Sequence, residues 1–147
     1  MKTTRLILAL LLAIPSMALV GFKLPSKVFD AESLEAAQKE AAEKGKPLSI
    51  LYSNKDSTCP LCNNASLTMI KELGNKTVMV YMSDINSLPN AAREAFRAGK
   101  YIPKIAVFDP KLEKSLGAVT YESVKKNSRT AFRDVDKAIR EYKKSDE

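Results

Sequence analysis

The stretch Ser57-Thr58-Cys59-Pro60-Leu61-Cys62 contains the only two cysteines of the 147-residue chain, spaced Cys-x-x-Cys. A strand-like run at residues 48–52 precedes it, and a helix-like run that extends to Leu73 follows it. This order places Cys59 at the N-terminus of a helix, where unpaired N–H groups and the helix dipole favour an anion. We therefore expect Cys59 to ionise readily, and the thiolate is the reactive form of cysteine.

The residues that follow Cys59 suit a redox pair. Pro60 fits the first helical turn, because the N–H that proline lacks has no partner there in any case. Cys62 lies three residues after Cys59, so the two side chains share a helix face and the sulfurs can meet. A reversible dithiol/disulfide couple is the leading interpretation. A purely structural disulfide is an alternative, although closing so short a loop stabilises a fold by only ~2 kcal/mol.

Two other uses of a cysteine pair are disfavoured. A closed zinc site needs four ligands, and this chain has two cysteines and no histidine. Covalent haem attachment needs a histidine directly after the second cysteine, where Asn63 stands. The sequence therefore predicts no metal and no cofactor.

The N-terminus has the pattern of a secretory signal peptide. Lys2 and Arg5 form a basic n-region, residues 6–15 form an apolar core, and Ser16-Met17-Ala18 is a small-x-small cleavage site. We predict a cleaved signal peptide over residues 1–18. An uncleaved anchor is the alternative.

Removal of the leader would leave a single domain over residues 19–147. The uncharged run from Leu6 to Phe22 contains proline and glycine and is marginal for a membrane span, so we expect no stable span after cleavage. Export would place both cysteines in the periplasm or another extracytoplasmic compartment, where disulfides form and persist.

The charge pattern disfavours nucleic acid as a partner. The formal net charge is +7, and the 24 basic residues, two of them in the leader, leave +5 against 17 acidic residues after cleavage. Basic and acidic residues alternate along the predicted helices, as in Lys39-Glu40 and Arg133-Asp134, which is typical of a solvated face. No basic stripe with interleaved aromatic residues occurs in the sequence.

Hydrophobic periodicity and breaker residues divide the chain into alternating helices and strands. Helices are predicted over residues 31–44, 60–73, 88–98 and 128–143, and strands over residues 48–52, 77–82, 105–108 and 116–120. Strands that alternate with helices indicate a layered α/β fold with a central sheet. A hairpin formed by the last two strands would make that sheet mixed.

This order of elements resembles the thioredoxin-like superfamily, especially its exported members, over about residues 29–142. The resemblance rests on Gly45-Lys46-Pro47-Leu48-Ser49-Ile50 before the Cys-Pro-Leu-Cys motif, on a strand at residues 78–84 followed by a proline-containing helix, and on Tyr101-Ile102-Pro103-Lys104-Ile105-Ala106-Val107-Phe108. It implies a three-layer fold in which helices flank the central mixed sheet.

The resemblance also implies roles for individual residues. Cys59 would be the attacking thiol and Cys62 the resolving thiol. Ile102 and a cis-Pro103 would face the dithiol and, with Pro60 and Leu61, bind an extended substrate through backbone hydrogen bonds. A trans Pro103 that merely opens the strand is the alternative.

The implied activity is thiol–disulfide exchange with protein thiols or disulfides, linked to an unidentified electron donor or acceptor. Ile102 before the proline and the absence of histidine favour the reductive direction.

Two departures from the superfamily pattern leave a second hypothesis open. Thioredoxins carry a buried acid near the end of the strand before the motif, and the corresponding position here is Tyr52 or Ser53, neither of which is acidic. The position before the first cysteine, which is commonly aromatic, is Thr58 in this chain. Neither departure supports efficient general thioredoxin activity. The alternative is a non-catalytic thioredoxin-like binding module with a structural disulfide.

Overall fold

The computed structural model describes residues 21–145, so the predicted signal peptide over residues 1–18 lies outside the described range. A 3-10 helix at Ala31–Ser33 opens the ordered elements. The helices and strands that follow, in chain order, are α1 (Leu34–Glu43), β1 (Leu48–Tyr52), α2 (Pro60–Leu73), β2 (Val78–Met82), α3 (Asn90–Glu94), β3 (Lys104–Phe108), β4 (Ser115–Thr120), α4 (Tyr121–Lys126), α5 (Ser128–Ala131) and α6 (Arg133–Ser145).

The four strands form one mixed sheet in the order β2-β1-β3-β4. Strands β1 and β2 are parallel and are joined through α2, whereas β3 is antiparallel to both β1 and β4. The connection between β3 and β4 is the hairpin that the sequence predicts. The chain therefore combines a β-α-β unit with a hairpin, and the sheet is mixed.

Alternate residues of the strands point to opposite faces of the sheet and form two separate cores. On one face, Ile50 of β1 packs with Ala37 and Ala41 of α1 and with Ala92 of α3. On the other face, Leu51 packs with residues of α2 and α6, namely Met69, Ile70, Leu73, Val135 and Ile139. Helices thus cover both faces, and the predicted three-layer thioredoxin-like α/β fold is confirmed.

Helix α3 is shorter than the prediction of residues 88–98. Pro89 has extended backbone (φ −54°, ψ 148°) and lies before the helix as its N-cap, so the helix begins only at Asn90. At its end, the N–H of Phe96 donates to the Arg93 carbonyl, which is a tightened turn. The Phe96 carbonyl then accepts a hydrogen bond from Lys104 Nζ instead of continuing the helix.

The C-terminal helical region also differs from the prediction. No element is predicted over residues 121–127, but α4 occupies most of this stretch. The predicted helix over residues 128–143 is divided at Phe132, which is buried and serves as the C-cap of α5. The division lets Phe132 enter the core between the sheet and α6.

Candidate functional site

The two cysteines lie at the N-terminus of α2, as the sequence predicts. Cys59 is the N-cap of this helix and is joined to Cys62 by a disulfide, with 5.3 Å between the two Cα atoms. The N–H of Cys62 donates to Cys59 Sγ at 3.2 Å. Pro60 occupies the first helical position, where its missing N–H removes no helical hydrogen bond. Negative charge on Cys59 Sγ would therefore be stabilised by an N–H donor and by the helix dipole.

The loop that leads to Cys59 is fixed by hydrogen bonds at both ends. The N–H of Cys59 donates to Ser57 Oγ at 3.1 Å, and Asn63 Nδ2 donates to the Ser57 carbonyl at 2.8 Å. Further back, the N–H of Lys55 donates to the hydroxyl of Tyr81, a buried residue of β2, at 3.0 Å. These contacts set the position of the disulfide relative to the sheet.

The segment with Pro103 reaches the same end of the sheet as the disulfide loop. Tyr52, the last residue of β1, pairs with Lys104, the first residue of β3. The loop before Cys59 directly follows Tyr52, and Pro103 directly precedes Lys104. The loop and Pro103 therefore lie next to each other at this end of the sheet. The Ile102–Pro103 peptide bond is cis, Pro103 is buried and Ile102 is half-buried.

The other predicted site residues lie on the surface beside the disulfide. Pro60 is exposed, and Leu61 has 62% of its surface exposed. Cys59 and Cys62 themselves are half-buried. A molecule that reached the sulfurs would therefore meet Leu61 in the first turn of α2.

Lys104 supports the Pro103 segment and was not recognised from the sequence. This residue is only 8% exposed, and its Nζ donates to the carbonyls of Phe96 at 2.9 Å and Gly99 at 2.8 Å. Burying an ammonium group is costly unless such acceptors surround it. Lys104 thereby ties the loop after α3 to the start of β3. The signal that the sequence offers for Lys104 is that it is the single charged residue in an otherwise apolar strand.

Glu122 of α4 holds the same loop from another side. Its Oε1 accepts hydrogen bonds from the N–H groups of Lys100 at 2.6 Å and Tyr101 at 3.0 Å. Burial raises the pKa of Glu122, but hydrogen bonds from the N–H groups of Glu122, Lys100 and Tyr101 outweigh it and hold the pKa below the ordinary carboxyl value. Gly99 has a φ of 74°, and a Cβ there would lie 2.6 Å from Glu122 Oε2, so the position favours glycine.

No acid occupies the two positions before the loop. Ser53 is 3% exposed and its Oγ lies 2.8 Å from the Oγ of Ser66, a buried residue of α2. Tyr52 is half-buried and contacts the ring of Phe96 edge-on, with 6.1 Å between the centroids. A neutral hydroxyl pair, Ser53 and Ser66, therefore lies at this end of β1, and neither Tyr52 nor Ser53 supplies a carboxyl group.

Residues 21–145 contain no cluster of three or more cysteine, aspartate or glutamate side chains that could hold a metal ion. Over the same range, no helix is both long and apolar enough for a membrane crossing. Neither a protein-family model nor a curated protein matches the chain.

Proposed function

We propose that this chain is an exported thiol–disulfide oxidoreductase of the thioredoxin-like superfamily that acts on protein substrates. The observation that carries the proposal is the Cys59–Cys62 disulfide at the N-terminus of α2, in a three-layer fold that brings the Pro103 segment to the same end of the sheet. A formed disulfide fits an extracytoplasmic compartment. Residues 1–18 would be the cleaved signal peptide.

In the reductive direction, the Cys59 thiolate attacks one sulfur of a substrate disulfide. The substrate S–S bond breaks, a mixed disulfide forms, and the released substrate thiolate takes up a proton. The Cys62 thiolate then attacks Cys59 Sγ, which forms the intramolecular disulfide and releases the second substrate thiol. Two electrons pass from the cysteine pair to the substrate, and an electron donor must return them. Hydrogen bonding from the Cys62 N–H favours the Cys59 thiolate before the first step.

Single serine substitutions test the two assigned roles. Cys59→Ser should abolish exchange with both small disulfides and protein disulfides, because the attacking sulfur is gone. Cys62→Ser should accumulate a mixed disulfide with substrate, which mass spectrometry of acid-quenched samples detects. Normal turnover by Cys59→Ser would contradict the proposal, and a Cys62→Ser variant that captures no substrate would contradict the resolving role.

A second candidate is a non-catalytic binding module in which the disulfide only staples the site. The neutral Ser53–Ser66 pair favours it, because no buried carboxyl group is present there to accept a proton from Cys62. On this hypothesis, a Cys59→Ser/Cys62→Ser double variant binds its partner with unchanged affinity. A large loss of affinity, or reversible redox cycling of the wild type, would argue against it.

A further inference from the structure

An exposed apolar and aromatic surface adjoins the disulfide. In the part of the chain that the structure describes, the exposed large hydrophobic residues are Leu61, Leu67 and Tyr101, and two of them lie here. Leu61 is 62% exposed and Tyr101 is 54% exposed. The ring of Tyr101 contacts Tyr121 edge-on, with 6.4 Å between the centroids. We call Leu61, Tyr101 and Tyr121, with the groove beside them, the aromatic surface.

The groove of this surface separates α2 from α4 and the start of α5. It has a volume of about 280 Å³ and is lined by Leu61, Asn64, Ala65, Tyr121, Val124, Lys125 and Ser128. Leu61 lies between the two cysteines in sequence, so the Leu61 end of the groove is near the disulfide, although neither cysteine lines it. Exposed apolar groups beside a polar rim are typical of sites that bind another molecule.

Two lysines give the aromatic surface a positive charge. Lys100 Nζ lies 5.5 Å from the Tyr101 ring centroid, and Lys125 Nζ lies 6.0 Å from the Tyr121 centroid. Both lysines are exposed, and neither forms an ion pair within residues 21–145. The adjacent Glu122 carboxylate binds backbone N–H groups through Oε1 and makes no ion pair with either ammonium.

We propose that the aromatic surface binds an extended segment of the substrate polypeptide in which acidic side chains flank an apolar residue. This inference rests on the proposed function, since the segment would be the one that carries the substrate cysteine. The apolar residue packs against Leu61 and the tyrosine rings, and carboxylates reach the two ammonium groups. Charge complementarity of this kind sets partner choice and the association rate.

Peptide binding tests the surface separately from the redox chemistry. Two fluorescein-labelled peptides carry a central Ser-Leu pair, flanked by glutamates in one and by lysines in the other, with serine replacing the reactive cysteine. We expect wild-type protein to bind the glutamate peptide about fivefold more tightly than the lysine peptide at low salt, because two cation–carboxylate contacts of ordinary surface strength add to about that ratio. Lys100→Gln/Lys125→Gln should remove the preference, as should high salt.

The matched control is Lys71→Gln/Lys111→Gln. Both residues are exposed lysines, Lys71 near the C-terminus of α2 and Lys111 in the turn after β3, at the opposite end of the sheet from the disulfide. This control should keep the preference for the glutamate peptide. Equal binding of both peptides by the wild type, or an equal loss of preference in the control, would overturn the inference.

Ligands of the aromatic surface other than a polypeptide substrate would give different results. Binding to anionic phospholipid vesicles without peptide binding, or self-association that Lys100→Gln/Lys125→Gln abolishes, would each overturn the assignment of a polypeptide substrate. Exchange with hydroxyethyl disulfide, a small uncharged disulfide, reports on Cys59 and Cys62 alone. Failure of that exchange with retained glutamate-peptide binding would overturn the proposed enzymatic function and support the binding surface.

Discussion

Lys104 and Glu122 hold the loop before Pro103 through side chains that bond to its backbone. Lys104 donates to the carbonyls of Phe96 and Gly99, and Glu122 accepts from the N–H groups of Lys100 and Tyr101. Donors and acceptors of one short loop are thus satisfied by one cation and one anion. At the scale of single residues, this pair of contacts positions the Pro103 segment and the ring of Tyr101.

Lys104→Met should lower the free energy of unfolding by about 2 kcal/mol, because the buried Phe96 carbonyl loses a charged donor without replacement and the part-buried bond to the Gly99 carbonyl is lost as well. Urea denaturation followed by circular dichroism measures the change. Lys46→Met is the matched control, since Lys46 Nζ donates to the Asn75 carbonyl at an exposed site. The control should change stability by less than about 0.5 kcal/mol. Equal effects in the two variants would contradict the role given to Lys104.

Glu122 should make stability depend on pH in the acidic range. Since its folded pKa is lowered, its contribution is complete above the ordinary carboxyl pKa of about 4.3 and is lost as the pH falls through the lower folded value. Glu122→Gln should lower the free energy of unfolding by about 1 kcal/mol at pH 7 and should make that free energy fall less steeply as the solution is acidified. Urea denaturation from pH 7 to pH 3 tests this.

The control for that experiment is Glu113→Gln, which removes an exposed carboxylate from the turn between β3 and β4. Its free energy of unfolding at pH 7 should stay within about 0.5 kcal/mol of the wild type. If the free energy of unfolding of the Glu122→Gln variant falls in acid as steeply as that of the wild type, groups other than Glu122 cause the pH dependence.

Helix α4 is the element that delivers Tyr121 and Glu122, and a capping box begins it. Thr120 Oγ1 accepts from the Ser123 N–H at 3.2 Å, and Ser123 Oγ accepts from the Thr120 N–H at 3.1 Å. A helix of six residues with no fully buried side chain is marginal by itself, so the capping box adds to the Glu122 hydrogen bonds that hold α4 in place.

Thr120→Val keeps the shape of the side chain but removes the cap. We expect a loss of about 1 kcal/mol in the free energy of unfolding and faster amide hydrogen exchange in α4. Thr68→Val is the control, because Thr68 Oγ1 bonds an exposed carbonyl inside α2 and caps nothing. Unchanged exchange in α4 of the Thr120→Val variant would contradict the importance of the cap.

Elements with strong local signals are predictable from the sequence. The bounds of β1 and α2 agree with the prediction, because an apolar run marks the strand and a cysteine N-cap followed by proline marks the helix. The end of α3 is not predictable in this way, since it depends on the Phe96 carbonyl meeting Lys104. Helix α4 depends on a short capping box and has no apolar periodicity of helical length.

The residues of the candidate site also differ in how far the sequence predicts them. Cys59 and Cys62 are recognisable because their spacing is local and their residue type is rare in this chain. Glu122 bonds the backbone of residues 21 and 22 positions away, and such contacts leave no periodic trace in the sequence. Tyr101 and Tyr121 meet only after β3 and β4 pair.

At the scale of the whole molecule, the two cores on either face of the sheet include neither Cys59 nor Cys62. The disulfide closes a loop of four residues, so its reduction should lower the free energy of unfolding by no more than about 2 kcal/mol. The reduced protein should keep its near-ultraviolet circular dichroism and its cooperative urea transition. Loss of either on reduction would indicate a structural staple.

The reduction potential of the Cys59–Cys62 pair tests the central claim most directly. Equilibration of residues 19–147 with glutathione buffers, followed by thiol alkylation and mass spectrometry, measures it. We predict a reversible two-electron couple nearer to about −270 mV, as in thioredoxin, than to about −120 mV, as in a strong oxidant. A disulfide that stays oxidised throughout, with a potential below about −300 mV, would contradict the account and support a structural role.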